Sequence, residues 1–114
     1  MTTATKADRD RWALFRHIGC IVTRQKFGVY NDYDVHHLVE GGRRLGHQYT
    51  IPLNPWYHRG VPPTDMTIDE AEAFYGPSLA RNKRAFVAEF GTERKLLETI
   101  ESMLYVIRTG DAAA

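Results

Sequence analysis

At 114 residues, with 43% hydrophobic and 25% charged side chains, the chain is long enough for one small core, too short for two, and excluded from wholesale disorder. No apolar run approaches the roughly 20 residues of a membrane span, and MTTATKADRD at the start lacks the apolar centre of a secretory signal, so the reading is one cytoplasmic domain over residues 1–114. The net charge of +1 hides an asymmetry: residues 1–60 carry nine Lys/Arg against five Asp/Glu, residues 61–114 six against nine.

Cys20 is the single cysteine and cannot form an internal disulfide, as suits a reducing compartment. The basic half either meets a polyanion through Arg24, Lys26, Arg43, Arg44 and Arg59 or is plain solvated surface.

The first helix is predicted over residues 5–18. Thr5 can cap it against Asp8, Asp10 sits where the helix dipole favours acids, and Trp12, Phe15 and Ile18 form a partial apolar stripe that Gly19 ends. Cys20-Ile21-Val22-Thr23 is rich in β-formers and reads as a short strand. A turn and loop follow, then a strand over about 33–39. Residues 40–46 hold Gly41, Gly42 and Gly46 with Arg43 and Arg44. They read either as a substrate-facing loop, whose arginines suit bidentate phosphate recognition, or as a flexible turn.

A second strand is predicted over 49–53. Asn54-Pro55 ends it and starts a helix carrying Trp56, Tyr57 and His58, with His58 in the first turn and Gly60-Val61-Pro62-Pro63 as the breaker. Thr67 and Glu70 form a capping-box pattern for a short helix to about 75, stopped by Gly76-Pro77. A further helix is predicted over 78–90, with Leu79, Phe86, Val87 and Phe90 apolar. Thr92 then caps a last helix whose stripe, Leu96, Leu97, Ile100, Met103, Leu104 and Ile107, reads as core rather than as a dimerisation seam. The tail from Thr109 reads as frayed.

Four of the five histidines fall between Val35 and Gly60. Adjacent strand residues ordinarily face opposite ways, but at a strand end His36 and His37 can both reach one site. One would hold a metal, its neighbour would take a proton from water, and His58 would supply a second ligand from the helix. For phosphodiester hydrolysis these are a general base and a divalent ion.

Taken together, Cys20-Ile21-Val22, Val35-His36-His37-Leu38, Gly42-Arg43-Arg44-Leu45-Gly46-His47, Thr50-Ile51-Pro52-Leu53 with His58-Arg59-Gly60, and Phe90-Gly91-Thr92-Glu93 with Leu96-Leu97 resemble the phage recombination-enhancement (Ref) family of RecA-dependent HNH nucleases. The resemblance runs from about residue 20 to 97. It implies an α+β fold: a small ββα-metal (HNH-like) finger over about 20–60, braced by helices at 5–18 and 67–108. It further implies metal-dependent hydrolysis of DNA, directed by a RecA filament.

Position by position, His37 resembles the general base, His36 the first metal ligand and His58 the helix-borne ligand. Tyr49 stands where relatives carry the asparagine that orients the base, and its phenol can hydrogen-bond but offers no carboxamide. His47 reads as an orienting or phosphate-contacting group or as a plain loop histidine, and Arg43, Arg44 and Arg59 as further DNA contacts. The implied cofactor is Mg2+ or Mn2+, with Zn2+ the other candidate. The structural zinc knuckle of such relatives is reduced here to Cys20-Ile21-Val22-Thr23 and Asn54-Pro55-Trp56-Tyr57. No structural zinc is therefore expected, and Trp56, Tyr57 and the C-terminal helices are expected to support the finger by packing. No histidine follows His58, so water, substrate phosphate or Asp65 would complete the metal's shell. The alternative is a catalytically weakened, nuclease-derived DNA-binding module; a third reading is a purely structural zinc protein.

Overall fold

The computed structural model describes residues 3–110. Helix α1 (Lys6–Leu14) is opened by the expected capping box: Thr5 accepts from the Asp8 amide and Asp8 accepts from the Thr5 amide. The α-helix is shorter than predicted, because Phe15–His17 tightens into a 3₁₀ turn before Gly19. Gly19 has φ of +72°, and a Cβ there would lie 2.8 Å from the Asn31 carbonyl oxygen, so the chain reverses where only glycine fits.

The expected strand at residues 20–23 is a helix instead, α2 (Ile21–Phe27). Its β-branched residues are locally suited to a strand, but Ile21, Val22 and Thr23 are buried together and Gly28, at φ +69°, closes the helix. Packing of one face overrides the local preference.

The predicted strand over 33–39 is divided at Leu38. Strand β1 (Asp34–His37) pairs antiparallel with β4 (Thr50–Leu53), placing His36 opposite Ile51 and His37 opposite Thr50. Leu38 is fully buried; its amide donates to Tyr49 and its carbonyl accepts from Leu45. Beyond it, β2 (Val39–Glu40) pairs with β3 (Arg43–Arg44). The loop expected over 40–46 is thus largely a hairpin. Its two-residue turn is Gly41-Gly42, at φ +60° and +76°, the left-handed pair that such a turn demands.

Helix α3 (Pro55–Arg59) follows β4 directly. Asn54 caps it through the Tyr57 amide at 2.8 Å, Pro55 occupies the first turn, and Gly60 at φ +71° ends it. Trp56 and Tyr57 are buried and tied to the next segment: the indole donates to the Gly76 carbonyl and the phenol to the Tyr75 carbonyl. Helix α4 (Ile68–Tyr75) has the predicted Thr67/Glu70 capping box with both bonds formed.

Helix α5 (Lys83–Phe90) starts five residues later than expected. Ser78 points its hydroxyl at the Trp56 carbonyl, 2.6 Å away, and Asn82 caps in its place. Helix α6 (Glu93–Thr109) keeps Thr92 as its cap and buries Leu96, Leu97, Ile100 and Leu104, with Met103 and Ile107 packed at the margin. Thr109 lies inside this helix and Gly110, at φ +69°, caps it; the remainder of the expected frayed tail, 111–114, lies outside the described residues.

The result is a compact α+β arrangement in which the β1–β4 pair with α3 packs into an apolar cluster shared with Phe15, Ile21, Trp56, Phe86 and Ile100. No described helix is long and apolar enough to cross a membrane.

Candidate active site

His36 sits on β1 and His58 on α3, the helix that the antiparallel pair presents beside it. Their rings approach edge to face with centroids 5.0 Å apart. Each ring is held on one nitrogen by a carboxylate. His36 Nε2 lies 2.6 Å from Glu93 Oε1, and His58 Nδ1 lies 3.0 Å from Asp34 Oδ2. This fixes the other nitrogens, His36 Nδ1 and His58 Nε2, as the ones with lone pairs to offer. His36 Nδ1 is buried and has no hydrogen-bond partner. An orphaned buried polar atom ordinarily costs about 1–3 kcal/mol, so its presence needs a reason.

The carboxylates are themselves secured. Glu93 is buried at the start of α6, and Lys83 lies 3.5 Å from its second oxygen. Burial pushes the Glu93 pKa up, but the His36 hydrogen bond and the Lys83 charge outweigh it and hold the carboxyl below its ordinary value. Asp34 behaves alike: desolvation opposes ionisation, while hydrogen bonds from His58 and from Arg59, at 2.8 Å, lower its pKa. The sequence pairs neither acid with its histidine, although Glu93 stands in the Phe90-Gly91-Thr92-Glu93 motif. Glu93 is 57 residues from His36, and its local signal is that of a first-turn helix acid.

His37, the next residue of β1, makes a separate set of contacts. Its Nε2 is 3.0 Å from His47 Nδ1, and Trp12 of α1 sets its indole edge-on to both rings, at 6.1 and 5.3 Å between centroids. Burial, then the charge of Arg44 and the neighbouring histidines, lowers the His37 pKa, so the ring is neutral at pH 7. His58 is lowered too, mainly by desolvation, with Asp34 opposing.

Thr50 organises this side. Its hydroxyl donates to the His47 carbonyl at 2.9 Å and accepts from the Arg11 guanidinium and the Trp12 indole at 3.0 and 3.1 Å, while Arg11 also donates to the Thr50 carbonyl at 2.7 Å. Arg11 is buried, balanced by Glu101 at 2.5 Å, and Asp8 takes Gln48 from the same loop. Helix α1 therefore clamps the segment that carries His47.

The remaining predicted residues are spread around these centres. Tyr49 is 40% exposed and lies under the Arg94 guanidinium at 5.5 Å, with its amide bonded to Gly46. Arg43 and Arg44 project from the exposed β3. Arg59 adjoins His58 through Asp34. Arg24 reaches the His17 and Ile18 carbonyls, and Lys26 lies 3.8 Å from Glu89 and over the Phe90 ring, which engages both within the fold. Among the described residues no three His, Cys, Asp or Glu side chains gather as a ligand set, so Asp65 does not join His36 and His58.

The family model described as recombination enhancement, RecA-dependent nuclease matches residues 4–105. No curated protein and no solved structure matches.

Proposed function

Because the chain belongs to the recombination-enhancement, RecA-dependent nuclease family, we propose that it is a metal-dependent DNA endonuclease of the HNH type that hydrolyses phosphodiester bonds under the direction of a RecA filament. The single observation that carries the reading is the buried, unpartnered His36 Nδ1 beside the His58 ring, with each imidazole backed by a carboxylate. That is the donor chemistry of a divalent cation site: imidazoles whose second nitrogens are fixed by acids. His36 and His58 would hold the ion, and water and substrate phosphate would fill the remaining positions. Strands β1 and β4 followed by α3 would form the ββα finger.

The ion, when bound, supplies positive charge that stabilises the crowded phosphoryl oxygens and the departing 3′ oxygen. The rest falls to side chains of the chain. His37, held neutral, takes a proton from water; with Nε2 directed at His47, Nδ1 is the accepting atom. The resulting hydroxide attacks phosphorus and the P–O3′ bond breaks. The base-orienting role belongs to His47, because Tyr49 is engaged with Arg94. Arg59, beside the metal ligands, and Arg43 and Arg44 on the hairpin contact flanking phosphates.

The test compares the wild type with His37→Ala on supercoiled plasmid and on circular single strands coated with RecA, in Mg2+ or Mn2+. Nicking by the wild type alone is expected. DNA retention without cleavage in any metal would instead establish the weakened binding module.

A further inference from the structure

The acids around the histidines are each held by a base. Asp34 is bound by His58 and Arg59, Glu40 by Arg94 at 2.6 and 3.1 Å, and Glu93 by His36 and Lys83. Their charge is thereby cancelled. Beside them runs a segment in the acidic half of the chain, Arg81, Lys83 and Arg84, three exposed cations in four residues with no acid among them; only Lys83 is engaged by one of these carboxylates.

The fold lays this segment along the site. Arg81 donates to the Gly60 carbonyl at 2.8 Å, so its stem packs against the residue that follows Arg59. Lys83, 63% exposed, reaches the far oxygen of the carboxylate that holds His36. Arg84 forms no ion pair among the described residues. Helix stabilisation does not account for Lys83 and Arg84. They occupy the first turn of α5, which has no acid, and a cation there is unfavourable toward the helix dipole.

We propose that Arg81, Lys83 and Arg84 form a second phosphate-binding wall of the nuclease site, which carries the DNA backbone past His36 and His58 on the side of α5. The inference rests on the nuclease reading for its substrate and adds residues that reading does not use. Lys83 has a double part, since the same ammonium meets backbone phosphate and, through Glu93, the ring of His36.

Binding of a short duplex and of an oligonucleotide single strand, measured in EDTA across a salt series, tests this without requiring cleavage. Removing one cation that neutralises a phosphate should reduce the slope of log K against log salt by about 0.9 on duplex or about 0.7 on single strand. Arg84→Ala and Lys83→Ala should each show that reduction, with severalfold weaker binding at low salt. Lys83→Arg should restore the wild-type slope. Arg108→Ala, the same charge change in the last turn of α6, should leave it unaltered. A wild-type slope in both alanine variants overturns the proposal, as does an equal reduction in Arg108→Ala. A chain that shows the reduced slopes but never cuts DNA would retire the nuclease reading and keep this wall. Cleavage with unchanged slopes would do the reverse.

Discussion

Two histidines, His36 and His37, are neighbours in sequence yet meet different surroundings along one strand. His36 meets a buried carboxylate; His37 meets His47 and an indole edge. Replacing His36 by Ala should abolish metal-dependent cleavage and also lower stability by about 1–3 kcal/mol, because Glu93 loses its hydrogen-bond partner inside the fold. A thermal melt of the metal-free protein separates the two effects, and an unchanged melt would show that Glu93 finds water instead. The pH response has a definite sign. The folded pKa values of His37 and His58 lie below the ordinary 6.5, so below that value the unfolded chain binds the extra protons first. Their contribution is fully present above about pH 6.5 and stability falls as the solution is acidified. The acid limb of cleavage, measured as single-turnover rate against pH, should be centred below 6.5; a limb centred above 6.5 would contradict a neutral His37.

At the level of elements, helix α1 braces the segment that carries His47 although it lies outside the β1–β4–α3 unit. Arg11 and Trp12 converge on Thr50, and Thr50 holds the backbone of His47. Thr50→Val, nearly equal in volume, removes that junction. It should cost about 1–3 kcal/mol and, with His37 as the proposed base, reduce kcat more than KM, since His47 loses its anchor while the arginines proposed to contact DNA stay in place. The hairpin makes the opposite prediction: Arg43→Ala with Arg44→Ala should weaken DNA binding and flatten its salt dependence, with little change in thermal stability, because both residues stand on exposed β3. The same contrast explains what is legible in the sequence. Helices α1, α3, α4 and α6 are visible there because Thr5, Asn54, Thr67 and Thr92 satisfy amides within three residues, a local signal. Helix α2 reads as a strand because Ile21, Val22 and Thr23 are helical for the sake of contacts distant in sequence. The three site histidines can be picked out by type and spacing. Glu93 and Asp34 cannot, because only the tertiary fold brings them to His36 and His58.

The molecule as a whole joins these parts through one apolar cluster to which β1, β4, α3 and the C-terminal helices all contribute. Ile100→Ala, in the fully buried middle of α6, should destabilise the protein by about 2–5 kcal/mol in chemical denaturation, and should impair cleavage only in proportion to the unfolded fraction. The charge division seen in the sequence is redistributed by folding. Arg81, Lys83 and Arg84 belong to the acidic half by number and to the basic face by position. Leu38 bears on how such a molecule changes over generations. The chain exchanges one strand partner for another at that single buried residue, and at the exposed Gly41-Gly42 tip an added Cβ would meet no described atom within 4 Å. Residues added to or removed from the tip leave the β1–β4 register, and with it the histidines, undisturbed. The hairpin proposed to contact DNA is therefore free to diversify in length and charge while the histidine centre stays constant.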